Sequence, residues 1–108
     1  MAGSALVPNY RTRDRMLTRL RELRAALETE GVLHAALFGS VARGDDAPNS
    51  DVDIILDLEP SREIGLFAFA GIKEFLEAEL GRGVDLGTRD SLRPERHGAI
   101  LAELVPAF

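Results

Sequence analysis

The chain has 108 residues, 13 Lys and Arg against 18 Asp and Glu, a net charge of −5 and no cysteine. That length supports one hydrophobic core and a single domain over residues 1–108, and the missing thiols exclude disulfides, zinc–thiolate and iron–sulfur centres and thiol catalysis. The acidic balance argues against a direct grip on nucleic acid, because duplex affinity comes mainly from clustered Lys and Arg.

The N-terminus, Met1-Ala2-Gly3-Ser4-Ala5-Leu6-Val7-Pro8-Asn9, has neither a basic start nor a long apolar core, and no apolar run approaches the ~20 residues of a membrane span. Membrane insertion and secretion are therefore not expected, and a cytoplasmic setting is the default. From Thr12 to about Glu30, Met16, Leu20, Leu23 and Leu27, with Leu17 beside them, recur at helical spacing and predict an amphipathic helix. In the same stretch Arg11, Arg13, Arg15, Arg19, Arg21 and Arg24 outnumber Asp14, Glu22, Glu28 and Glu30. Such a run reads first as a solvated helix face, and second as a patch for an acidic partner or RNA. Gly31 ends the helix, and the apolar run Val32–Phe38 predicts a buried strand. Ser40 stands where an N-cap is expected for a short helical turn, Ser40 to Arg43, and the turn formers of residues 44–50 predict a loop.

Asp51 to Leu58 is β-rich and apolar except at Asp51, Asp53 and Asp57, and predicts a central strand. Pro60 closes it, and Ser61 is placed to cap a helix from Glu63 to Leu80 that carries Phe69, Ile72, Phe75, Leu76 and Leu80 at helical spacing. Gly81-Arg82-Gly83 breaks that helix, Val84-Asp85-Leu86 predicts a short strand, and Pro94 to Leu104 a last helix with Pro in its first turn. The long helical crossover implies that its flanking strands run parallel. The fold class is α/β, a small mixed sheet of three or more strands flanked by helices.

Residues i and i+2 of a strand share a face, so Asp51 and Asp53 project together about 6.5–7 Å apart. Two carboxylates that close repel and lose hydration, which a hard cation such as Mg2+ offsets. Asp57 shares their parity but lies about 13 Å from Asp53 along the strand, and is given a surface role. Upstream, Gly39-Ser40 sits at a strand-to-helix turn, where backbone N–H groups attract an anion. Gly39 permits close approach, Ser40 offers a hydroxyl and Arg43 a positive charge for phosphate. An EF-hand from Asp46 fails, with Asp51 and Asp57 where Gly and Glu are needed, and neither phosphate-loop glycine motif occurs. His34 reads as a core or edge histidine and His97 as a surface one; they share no metal spacing.

Taken together, Leu37-Phe38-Gly39-Ser40-Val41-Ala42-Arg43-Gly44, a loop, and Asn49-Ser50-Asp51-Val52-Asp53-Ile54-Ile55 resemble the signature G-S-x-A-R-G-x(n)-S-D-x-D-[LI]. This is similar to the DNA polymerase β-type nucleotidyltransferase superfamily, and within it to the minimal nucleotidyltransferases of the MntA-like antitoxin group. The resemblance is dense over residues 37–56 and implies the palm-like nucleotidyltransferase fold. It further implies Gly39 and Ser40 for the triphosphate, Asp51 and Asp53 for metal, and Asp85 of Gly83-Val84-Asp85-Leu86 as the third carboxylate of metal binding and catalysis. The implied reaction is transfer of AMP from ATP, with two Mg2+ ions, to a hydroxyl of a partner protein. By resemblance that acceptor is a tyrosine of a HEPN-domain toxin. Two alternatives stand beside it: a non-catalytic antitoxin that sequesters a HEPN ribonuclease, and a small-molecule nucleotidyltransferase working as a homodimer.

Overall fold

In the computed structural model, which describes residues 7–108, the N-terminal apolar stripe forms two consecutive helices, α1 (Arg11–Glu22) and α2 (Arg24–Thr29). Met16, Leu17, Leu20, Leu23 and Leu27 are all buried, as their period requires. The expected single helix is interrupted at Leu23, whose N–H is shared between the carbonyls of Arg19 and Leu20, tightening the turn there. Residues 1–6, on which the reading of the N-terminus partly rests, lie outside the described residues. No helix among the described residues is long and apolar enough to cross a membrane.

The chain continues through β1 (Val32–Phe38), the short helix α3 (Gly39–Arg43), β2 (Val52–Leu58), α4 (Leu66–Leu80) and β3 (Val84–Thr88). A 3₁₀ turn (Arg89–Ser91), α5 (Pro94–Glu103) and β4 (Val105–Pro106) follow. The sheet order is β3-β2-β1-β4, with β1 antiparallel to both β2 and β4, and β2 parallel to β3 across the α4 crossover. Val52, Ile54 and Leu56 on one face of β2 pack with Leu37 of β1, Val84 of β3 and the inner sides of α1, α2 and α4. The alternate residues Asp53, Ile55 and Asp57 therefore face the other way. Ile72, Leu76 and Leu80 bury the inner side of α4.

Two elements differ from expectation, and the sheet of three or more strands proves to have four. The α4 helix begins at Leu66 rather than Glu63, because Gly65 is extended and acts as its N-cap, while the Ser61 hydroxyl donates to Glu59 instead of capping. The third strand runs on to Thr88. A fourth strand, β4, follows the last helix, and its Pro106 is tolerated because the strand is at the sheet edge, where a missing N–H leaves no ladder bond unmade.

Candidate active site

The turn from β1 into α3 brings the Gly-Ser pair beside the start of β2. Phe38 is the N-cap, in extended conformation, and Gly39 takes φ +74°, a left-handed value that favours glycine. A Cβ at Gly39 would land on the carboxylate of Asp53, so the absence of a side chain there is also what lets Asp53 approach the turn. Ser40 lies inside the helix rather than at its cap, contrary to the expected position, so its hydroxyl is not committed to capping.

Asp53 sits opposite Phe38 on one side and opposite Asp85 on the other, in the antiparallel and parallel registers respectively. The parallel crossover thus sets the first strand position after Val84 directly beside the second carboxylate of the Asp-x-Asp pair. Asp51 immediately precedes β2, is exposed, and packs against Gly83, where any Cβ would strike its carboxylate. Asp53 is half-buried and Asp85 exposed. Burial raises the Asp53 carboxyl above its ordinary value, as do the charges of Asp85 and then Asp51, while Arg43 opposes them. Negative charge is concentrated here beyond what nearby cations neutralise.

Arg43, expected to face phosphate, is held at 3.2 Å by Asp45 and 3.7 Å by Glu103, at the junction of α3 with α5. Asp57 is taken by Arg89, 2.8 Å from its Oδ1, in keeping with its surface assignment. His34 is exposed, paired in register with Asp57, and His97 is half-buried with its Nδ1 accepting the Arg93 N–H at 2.8 Å.

Among the described residues no three acidic or histidine side chains close into a ready metal cage. The donors present, Asp51 and Asp53 with Asp85 alongside, still suit a hard cation that takes one or two carboxylates from protein and the remainder from bound phosphate, which is how Mg2+ is usually held. Two of the three, Asp51 and Asp85, are open to solvent, with the half-buried Asp53 between them. A cavity of about 440 Å3, lined by Asp14, Arg15, Arg19, Glu22 and Glu79, lies away from it between α1 and the end of α4.

The sequence reading missed Arg82 and Gly83, taken only as helix breakers. Arg82 donates to the carbonyls of Ala47 and Ser50, and the Gly83 carbonyl accepts the Val52 N–H at 2.8 Å. The one available signal was a glycine immediately before the strand carrying Asp85.

The family model for the nucleotidyltransferase domain matches residues 20–106. The chain is 41% identical over 87 residues to the protein adenylyltransferase MntA of Thermococcus cleftensis, an alignment covering 79% of this chain and 81% of that protein. A solved minimal nucleotidyltransferase superposes with TM-score 0.67 at 32% identity, covering 87% of this chain and 90% of the other. A chain from the complex of a tri-AMPylated Shewanella oneidensis HEPN toxin with MNT antitoxin superposes with TM-score 0.61, covering 86% of this chain and 71% of the other; at 16% identity it shows a shared fold.

Proposed function

Because the chain belongs to the nucleotidyltransferase domain family, we propose that it moves AMP from ATP to a hydroxyl of a partner protein, as the antitoxin of a HEPN/MNT pair modifying a toxin tyrosine. The observation that carries this reading is the meeting of Asp53 and Asp85 in register, with Asp51 at the strand mouth, directly beside the Gly39-Ser40 turn. The relative named a protein adenylyltransferase supports AMP as the group transferred, and the AMPylated toxin complex supports a HEPN protein as acceptor.

In this reading the Ser40 hydroxyl and the backbone around Gly39 hold the phosphates, and Asp51 and Asp53 hold Mg2+, two ions in the full site. When bound, Mg2+ neutralises the triphosphate and favours the deprotonated nucleophile. The acceptor oxygen attacks the α-phosphorus, the bond to the bridging oxygen of the β-phosphate breaks, and pyrophosphate leaves. Asp85, exposed beside Asp53, takes the acceptor's proton. Incubation of the wild-type protein with ATP, Mg2+ and a HEPN-domain partner should raise the partner's intact mass by whole AMP units. Asp51→Asn should leave the mass unchanged, and equal labelling by that variant would falsify the assignment.

A further inference from the structure

Residues 44–50 link the Gly-Ser turn to the Asp-x-Asp strand, and by composition they form a free loop of turn formers. In the structure they are tied across the sheet by one side chain. The Arg82 guanidinium donates from one nitrogen to the Ala47 carbonyl at 3.1 Å and to the Ser50 carbonyl at 2.6 Å, while its other terminal nitrogen lies 3.6 Å from Asp46. At 18% and 9% side-chain exposure this Arg82–Asp46 pair is far better shielded than the Arg43–Asp45 pair, at 47% and 60%. The planar fork of arginine suits the task, since one terminal nitrogen serves both carbonyls while the other stays near Asp46, two positions that the single nitrogen of an ammonium cannot hold together. The next residue, Gly83, accepts the Val52 N–H and leaves room for the Asp51 carboxylate, so residues 82 and 83 grip both sides of Asp51.

We infer that Arg82 is a positioning residue, holding the loop so that Asp51 is presented beside Asp53 and Asp85 for the cation that accompanies the triphosphate. This rests on the assignment of Asp51 and Asp53 to metal. Partners that orient metal ligands without touching the metal are commonly worth 10–100-fold in affinity.

The test is calorimetric titration with a non-hydrolysable ATP analogue, once with Mg2+ and once with a chelator, on folded wild-type and variant proteins. The ratio of the two affinities isolates the contribution of the metal-holding carboxylates. Arg82→Ala is expected to shrink that ratio about tenfold while leaving the Mg2+-free affinity unaltered. Gly83→Ala, which displaces Asp51 directly, should do the same, and the double variant should be no worse than the stronger single one because both act through one carboxylate. Where Arg82→Ala does not fold, Arg82→Lys, which keeps a charge near Asp46 but not the fork, carries the same measurement. An unchanged ratio, an equal fall in both affinities, or effects that multiply in the double variant would each overturn the positioning role. Asp51→Asn separates the two levels: if it abolishes the ratio while the Arg82 variants do not, only the role of Arg82 fails. If it leaves the ratio intact, the metal assignment fails and takes the inference with it.

Discussion

Asp53 carries the largest electrostatic conflict of the site, and its consequence for stability has a definite sign. Its folded-state carboxyl is raised by burial, then by Asp85 and Asp51, so between the ordinary Asp value and the raised one the folded protein binds more proton than the unfolded chain. Stability is therefore lost as pH rises through that window. Asp53→Asn should abolish this slope and raise the melting temperature of the metal-free protein at neutral pH. Because the carboxylate is only half-buried, solvent screening keeps the gain to on the order of one or two degrees. Thermal melts between pH 4 and 7 without divalent cation check it, and a steeper slope in the variant would contradict it. Ser40 offers a complementary case. Since Phe38, not Ser40, is the cap, Ser40→Ala should leave the melting temperature nearly unchanged while weakening ATP by about 1–2 kcal/mol, roughly 5–30-fold, for one hydrogen bond to a charged group. A lower melting temperature with unaltered affinity would return Ser40 to a structural role. At this scale the sequence is informative where residue chemistry is unusual for its setting: carboxylates opening an apolar strand, and a glycine before a serine at a strand end. Gly83 and Arg82 were illegible because their meaning lies in what faces them across the sheet, at a separation of more than thirty residues.

Elements were readable to the extent that burial is periodic. The stripes of α1, α2 and α4 are core on their predicted sides because a 3.6-residue period leaves few other ways to bury Leu20, Leu27 and Leu76, all fully inaccessible. Leu76→Ala should accordingly cost about 2–5 kcal/mol in urea unfolding, from lost transfer energy and the cavity left behind. By contrast Phe67, on the same helix but 93% exposed, should change stability by less than about 0.5 kcal/mol when cut to Ala. Equal losses at the two positions would mean that α4 packs differently from the arrangement described. Element ends were less legible, since they depend on single backbone states: the extended Gly65 that delays α4, and the two-residue β4, too short for any alternation to reveal. The arginine run of the first two helices proves to be engaged piecemeal. Arg19 pairs with Glu22 and Glu79, Arg24 with Glu28, Arg13 with Asp14, and Arg21 donates to the Ala107 carbonyl. Two of these contacts, Arg19 with Glu79 and Arg21 with Ala107, are partly buried and tie the first helix to distant segments, so the run is not simply a solvated face.

Across the molecule, α1, α2 and α4 pack on one face of the sheet while Asp53, with Asp51 and Asp85 beside it, looks out from the other at the mouth of β2 and β3. On the proposed reading the two ways of silencing a HEPN ribonuclease then differ in stoichiometry. Sequestration occupies one molecule per target and needs no nucleotide, so inhibition should climb in proportion to added protein and saturate near equivalence. Transfer of AMP is a turnover. A tenth of an equivalent, given ATP, Mg2+ and time, should silence the whole pool, because each modified target keeps a new negative charge and bulk that oppose RNA entry after the enzyme has left. Measuring residual nuclease activity at substoichiometric protein, with and without ATP, separates the two. Asp51→Asn sharpens the comparison, since it preserves the outer surface but not the carboxylate at the strand mouth. Wild type is expected to inhibit fully at a tenth of an equivalent only with ATP, and Asp51→Asn not at all. Inhibition that tracks equivalence identically for both proteins, indifferent to ATP, would replace catalysis by occupancy.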